Sequence, residues 1–242
     1  MNVDITDLKT VRLSQDGSAV IILDQTCLPG SEVYVSLSSA EEIWEAIYRL
    51  KVRGAPAIGI AAAYGIYVCS RQIAANTYGG FCSEFLRIKD YLASSRPTAV
   101  NLVAALDRME KVVVAHSVNP VPEIVELLRV EAEAIRAEDA AACRKIGENC
   151  LSLLRPGMGI LTHCNAGHLA VSEYGTVARL TTIPCLRCMP SGEWIISNVT
   201  TSATPVFIGK TSIRPPMRSK CSTRPLKNAA VPSFSVFLLA LR

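Results

Sequence analysis

Residues 55–69, APAIGIAAAYGIYVC, form a run of fifteen positions without one charged side chain. A helix that is apolar on every face must be enclosed by other protein or by lipid, and about 20 residues are needed to cross a bilayer. This run is too short, and Pro56, Gly59 and Gly65 interrupt it. It is therefore expected as a buried helix that starts at an exposed Pro56 and lets its neighbours approach closely over small side chains. The chain can supply those neighbours: 242 residues, 50% hydrophobic and 19% charged, are far from disordered or collagen-like composition. At roughly 100–200 residues per domain, there is room for one or two.

The surrounding elements are legible from local signals. Residues 11–13 and 20–23 flank Gln15-Asp16-Gly17, a hairpin signature, and residues 33–37 follow the Pro29-Gly30 turn, which predicts a small antiparallel sheet. Ser38 with Glu41 and Ser39 with Glu42 both have capping-box spacing, and Ile43, Ile47 and Leu50 then recur at helical intervals, so a helix is predicted that stops near Gly54. The apolar helix should run on to about Asn76, with further helices over about 80–93, 98–115 and 122–154. Gly159 to Cys164 reads as a short buried strand, turned by Asn165-Ala166-Gly167 into a helix, the way a doubly wound domain begins. Beyond it only residues 194–196 and 234–239 suggest strands.

The formal charge of +4 conceals a division. Residues 1–178 carry 16 Lys and Arg against 20 acids, whereas residues 179–242 carry nine basic residues and one acid, Glu193. The second segment also holds seven of the 13 prolines and no aspartate, the last being Asp139. A basic segment can serve nucleic acid or membrane, but between Lys210 and Lys227, where its basic residues are densest, no aromatic residue is interleaved to stack on bases, and no partner of either kind is expected. A foreign, recombined or out-of-frame tail is the alternative reading. No secretory signal opens the chain, so a cytoplasmic protein is expected, and its nine cysteines are expected to be reduced thiols. Cys185 and Cys188 hint at zinc, but a structural site needs four ligands and the tail adds only Cys221, so no metal is expected.

Three places could carry chemistry. Cys164 is placed where a strand ends and a glycine turn feeds a helix, a setting that lowers a thiol's pKa; the plainer reading is one more small buried hydrophobe. Arg53-Gly54-Ala55-Pro56 joins a guanidinium to a helix N-terminus across a glycine that permits close approach, which suits phosphate; otherwise it is a corner with a solvated arginine. Arg96-Pro97-Thr98 follows the same logic. His163 points away from its neighbour Cys164, because adjacent strand residues face opposite sides, and His168 is expected on a helix surface.

Taken in order, Leu23-Asp24-Gln25-Thr26, Arg53-Gly54-Ala55-Pro56-Ala57-Ile58-Gly59, Arg96-Pro97-Thr98-Ala99-Val100-Asn101-Leu102 and Leu161-Thr162-His163-Cys164-Asn165-Ala166-Gly167, followed by Tyr174-Gly175-Thr176, resemble the methylthioribose-1-phosphate isomerases. That family shares a superfamily with the regulatory subunits of translation initiation factor 2B. The resemblance covers residues 1 to about 178. It implies an α/β fold: a small N-terminal antiparallel sheet plus helical domain over 1–118, then over 119–178 a linking helix and the start of a truncated Rossmann-like domain, with 179–242 as an atypical tail. It implies an aldose-ketose isomerase of methionine salvage that converts 5-methylthioribose 1-phosphate to 5-methylthioribulose 1-phosphate in a homodimer, without a cofactor. Arg53, Gly54 and Ala55 would hold the phosphate, Arg96 would bind substrate, and Cys164 would be the catalytic thiol.

The sequence also departs from that family. Its proton donor is an aspartate in a Gly-Ala-Asp-Arg string downstream of the cysteine, and no such string occurs here. The expectation is an isomerase sequence interrupted by a change of reading frame and left inactive. The alternative is a non-catalytic sugar-phosphate-binding or regulatory protein related to the initiation-factor subunits. An isomerase of ribose 1,5-bisphosphate is a third reading, disfavoured by the Cys-Asn-Ala-Gly setting.

Overall fold

A computed structural model describes residues 9–151, 153, 159–162, 166–175 and 238–241. Strands β1 (Val11–Leu13), β2 (Val20–Leu23) and β3 (Tyr34–Leu37) form the antiparallel sheet, in the order β1-β2-β3. Val11 pairs with Ile22 and Val20 with Leu37, which puts Val11, Val20, Ile22 and Leu37 in the core. The hairpin turns at Gly17, whose φ of +69° suits glycine. Asp16 holds that turn by accepting from Ser14 Oγ at 2.7 Å and from the Ser18 N–H at 3.1 Å.

Helix α1 (Ala40–Tyr48) begins at Ser39, and of the two possible capping boxes only the Ser39–Glu42 box is made. Glu42 also accepts the Ser38 N–H at 2.7 Å, so Ser38 reinforces the cap of its neighbour. The helix ends six residues before Gly54, at Tyr48. Helix α2 (Ala55–Ser70) follows, with Gly54 as N-cap and Pro56 in its first turn, and fourteen of its sixteen residues are buried. It ends before Asn76 because the apolar run gives way to Arg71 and Gln72, whose side chains bond Asp16 O at 3.1 Å and Ser38 O at 2.7 Å.

Helices α3 (Tyr78–Ala93), α4 (Val100–Ala115) and α5 (Val121–Leu151) enclose α2. Phe81, Phe85 and Leu92 of α3, Leu102, Leu106 and Met109 of α4, and Ile124, Leu128 and Ala132 of α5 join its core. Outside that core, Lys89 of α3 pairs with Asp107 and Glu110 of α4, and Arg108 of α4 with Glu131 and Glu138 of α5. These pairs are partly buried at the helix margins and tie α3 to α4 and α4 to α5.

Two glycines of α2 allow the close approach. A Cβ on Gly59 would lie 2.9 Å from Asn101 O of α4, and one on Gly65 would lie 2.8 Å from Ile43 Cγ2 of α1. Strand β4 (Gly159–Thr162) pairs antiparallel with β5 (Leu238–Leu241), and the predicted strand over 194–196 lies outside the described residues. Residues 166–175 carry no α-helix; a single 3-10 turn, His168–Ala170, stands in its place. His168 is buried in that turn instead of lying on a helix surface.

Gly59→Ala should cost about 1–3 kcal/mol, because the methyl meets a backbone carbonyl that cannot swing aside. Gly79, near the start of α3, has nothing within 4 Å of its Cβ position, so Gly79→Ala should gain about 0.5 kcal/mol. Urea unfolding of the two variants tests both signs, and equal effects would contradict this packing.

Candidate functional site

The helices that follow the two arginine corners, 43 positions apart in sequence, come together near their starts through the close approach of α2 and α4. Gly59 is the fifth residue of α2 and Asn101 the second of α4, so their contact brings both helix N-termini to one end of the molecule. Each helix start presents N–H groups without intrahelical acceptors and the positive end of a dipole. Arg53 precedes α2 and is exposed, Arg96 precedes α4 and is half-buried. Among the described residues neither guanidinium is paired with a carboxylate. Both helix starts, each preceded by an arginine, therefore lie at the same end of the α2–α4 pair.

Gly54 has φ +94°. A Cβ there would fall 2.4 Å from Cα and O of Ala170. The close approach expected at this glycine is therefore made by the chain itself: the segment after Cys164 lies directly on the start of α2. Ala55 is exposed beside it. Cys164, with His163 and Asn165, lies outside the described residues, as do Cys185, Cys188 and Cys221. The helix dipole expected to act on Cys164 is not supplied by residues 166–175, which form only the 3-10 turn.

That segment is anchored at both ends. Gly175, at φ +68°, folds back so closely that its Cβ position lies 2.6 Å from Gly167 C, which accounts for the spacing of the two glycines. Glu173 accepts from Arg136 of α5 at 3.0 Å, and Arg144 bonds the Tyr174 hydroxyl while lying 4.6 Å from its ring centroid. On the other side, Thr10 Oγ1 donates to Val171 O and Gln25 Nε2 to Leu169 O at 2.8 Å. Neither Thr10 nor Gln25 stands out as a site residue by its local sequence; only the Leu-Asp-Gln-Thr string marks the second. Asp139 of α5 packs against Ser172, and burial pushes its carboxyl up to about 6, offset only in part by the Ser172 hydroxyl and N–H.

Other features of the described residues do not suit the same chemistry. An open depression on α4 is lined by Asp107, Glu110, Lys111, Val114 and Ala115, a surface with more acid than base. Cys69 and Cys143 are free and buried, and burial pushes both thiols up to about 12, where they are inert. No group of three or more metal-ligating side chains occurs among the described residues, and no helix there is long and apolar enough to cross a membrane.

The chain is similar to known proteins in sequence and in fold. The profile of the Initiation factor 2 subunit family matches residues 51–191. A methylthioribose-1-phosphate isomerase of Parabacteroides distasonis is 71% identical over 166 residues, 69% of this chain and 50% of that protein. A 5-deoxyribose 1-phosphate isomerase of Petrotoga mobilis is 51% identical over 69% of this chain and 48% of its own length. Among solved structures, the 5-methylthioribose 1-phosphate isomerase of Pyrococcus horikoshii is similar with a TM-score of 0.68 and 39% identity, over 73% of this chain and 50% of that one. Subunit delta of translation initiation factor eIF-2B from A. fulgidus gives 0.65 and 35%, over 72% and 50%. The chain thus spans about half the length of the relatives it matches.

Asp139 supplies a pH test of the anchored segment. An acid whose folded pKa is raised above its unfolded value binds more protons when folded, so stability falls as pH rises from about 4 through about 6. Asp139→Asn should leave stability unchanged at pH 4 and raise it at pH 7.5 by on the order of 1–2 kcal/mol. Thermal melts at the two pH values check this, and an equal effect at both would contradict a buried, proton-binding carboxyl.

Proposed function

Because this chain belongs to the initiation factor 2 subunit family, we propose that it carries the substrate-binding half of an aldose-ketose isomerase acting on a ribose 1-phosphate without a 5-hydroxyl. The observation that carries the proposal is the close approach of the N-termini of α2 and α4, which Arg53 and Arg96 precede. Two relatives are named for 5-methylthioribose 1-phosphate and 5-deoxyribose 1-phosphate, which share that sugar and differ in the substituent at C5. The higher identity of the first supports 5-methylthioribose 1-phosphate, a step of methionine salvage.

In this reading Arg53, Gly54 and Ala55 hold the phosphate, and Arg96 holds the sugar. Phosphate on C1 blocks simple opening to a free aldehyde, so the site has to open the ring and then move hydrogen from C2 to C1. A Cys164 thiolate acts as base for that transfer, with an acid opposite to give and take the ring-oxygen proton. Fixing the phosphate at the two helix starts holds C2 in reach of the thiol. The assignment rests on a match in motif and order, together with the contact of Gly54 on the segment that follows Cys164.

The acid is the missing part: no aspartate follows Asp139 in the sequence. These 242 residues are therefore proposed to bind the sugar phosphate without turning it over, and the division at 118 and 178, a homodimer and a cytoplasmic location belong to the same proposal. The family profile extends to residue 191, thirteen positions into the basic segment. The coding DNA read in its other two frames beyond codon 177 should contain the Gly-Ala-Asp-Arg string; its absence from both would dispose of the reading-frame explanation.

Binding is tested by thermal shift. Saturation at about 100 times Kd should stabilise the chain by about 2.7 kcal/mol, a shift of several degrees, and Arg53→Ala should remove it. A coupled assay for 5-methylthioribulose 1-phosphate should find no product. Near-normal turnover would refute the inactive reading, and an undiminished shift in Arg53→Ala would place the ligand elsewhere.

A further inference from the structure

Asp139 stands where α5 meets the 166–175 segment, and the arginines around it are already taken. Its carboxyl packs against Ser172, which is fully buried, and its Oδ2 has no hydrogen-bond partner among the described residues. Arg136, three residues earlier on α5, is shared by two other carboxylates, donating from Nε to Glu133 at 3.1 Å and from Nη1 to Glu173 at 3.0 Å. Arg144, five residues later, bonds the Tyr174 hydroxyl and covers its ring. The remaining helix groups at this seam bring no positive charge: burial pushes the Cys143 thiol of α5 up to about 12 and pushes up the Tyr64 hydroxyl of α2, which faces Glu133 and Arg136. The segment's own ionisable groups are Glu173, next to Ser172, then Tyr174 and the buried His168.

An ionised Asp139 is therefore a third carboxylate beside one guanidinium, on the opposite side of the contact from Glu173. Like charges repel across such a contact, and partial burial leaves them weakly screened. A protonated Asp139 removes the repulsion and leaves Arg136 to Glu173. We propose that Asp139 is a pH-sensitive latch: protonated, it lets the 166–175 segment close on α5 and on the start of α2, and ionised, it loosens that segment while the helices stay packed. Closure seats Ala170 on Gly54, so the latch sets how firmly the start of α2 is covered. Burial pushes the Asp139 carboxyl up to about 6, so the closed form gains as pH falls through that value. The movement needs no ligand, and its failure would leave the sugar-phosphate reading untouched.

Hydrogen exchange of the full chain at pH 5 and pH 7.5, corrected for the intrinsic chemical rate, reads the latch on the peptide holding residues 166–175, against peptides of α4. In wild type the segment's protection should fall by about tenfold or more between the two pH values. At pH 7.5 it should also lie at least about tenfold below that of α4, the mark of local opening. Asp139→Asn should keep the segment's protection within about twofold across the same range. Glu173→Gln leaves Asp139 in place but frees Arg136 Nη1 to meet it, and should reduce the fall to about threefold or less. Constant protection in wild type would overturn the latch. So would the full fall persisting in Asp139→Asn, which would assign the effect to His168, or persisting in Glu173→Gln. Segment and α4 exchanging together at pH 7.5 would mean opening only by global unfolding, and would overturn it as well.

Discussion

The helices and the sheet of residues 9–151 are arranged around a helix with no side that tolerates water. Fourteen of the sixteen residues of α2 are buried, so the sheet, α1, α3, α4 and α5 are obliged to close round it. Its side chains are mostly Ala, Ile and Gly, which give up individual burial energy in exchange for short distances between backbones. Burying a side chain such as Ile60 contributes about 1.5–3 kcal/mol, but Gly59 and Gly65 contribute by their absence of bulk, letting Asn101 and Ile43 approach to where a methyl would stand.

The same economy of side-chain volume places the site. A helix buried along its length has only its ends to offer, and the N-terminus of α2 opens beside that of α4 because Gly59 meets Asn101. Gly54, at a positive φ and with no Cβ, then admits the backbone of Ala170. The same close packing that lets three segments touch also sets two helix starts, with their unpaired N–H groups and dipole ends, side by side. Polar anchors hold the third segment there, Gln25 and Thr10 from the sheet side, Arg136 and Arg144 from α5.

Much of this was legible before any coordinates. The hairpin at Asp16-Gly17, the Ser39–Glu42 box, the starts near Pro56 and Pro97 and the long helix after Pro120 are local signals, and these elements start within a few residues of their expected positions, although α1 and α2 each end six residues early. The misjudged places are those where a partner outranks local preference. Residues 71–76 leave the helix because Arg71 and Gln72 find acceptors on the sheet side. The turn after Gly167 stays a 3-10 turn, and Tyr174 takes a positive φ of 68° because Arg144 and Gly175 hold it there. His168, expected on a surface, is buried by the same folding-back of that segment.

By itself the sequence determined the kind and order of the elements, since propensity, capping and hydrophobic period act over a few residues. It also determined that one helix had to be the centre, because an uncharged run of fifteen residues, too short to cross a bilayer, has to be enclosed by other protein. Which residues meet was settled only in three dimensions. Gln25 bonds a carbonyl 144 positions away, Gly54 gives its Cβ space to Ala170, and Gly59 gives its own to Asn101. Such contacts have no period and no local composition; they arise from how closely packed backbones can approach and from buried donors and acceptors that must find each other once water is gone.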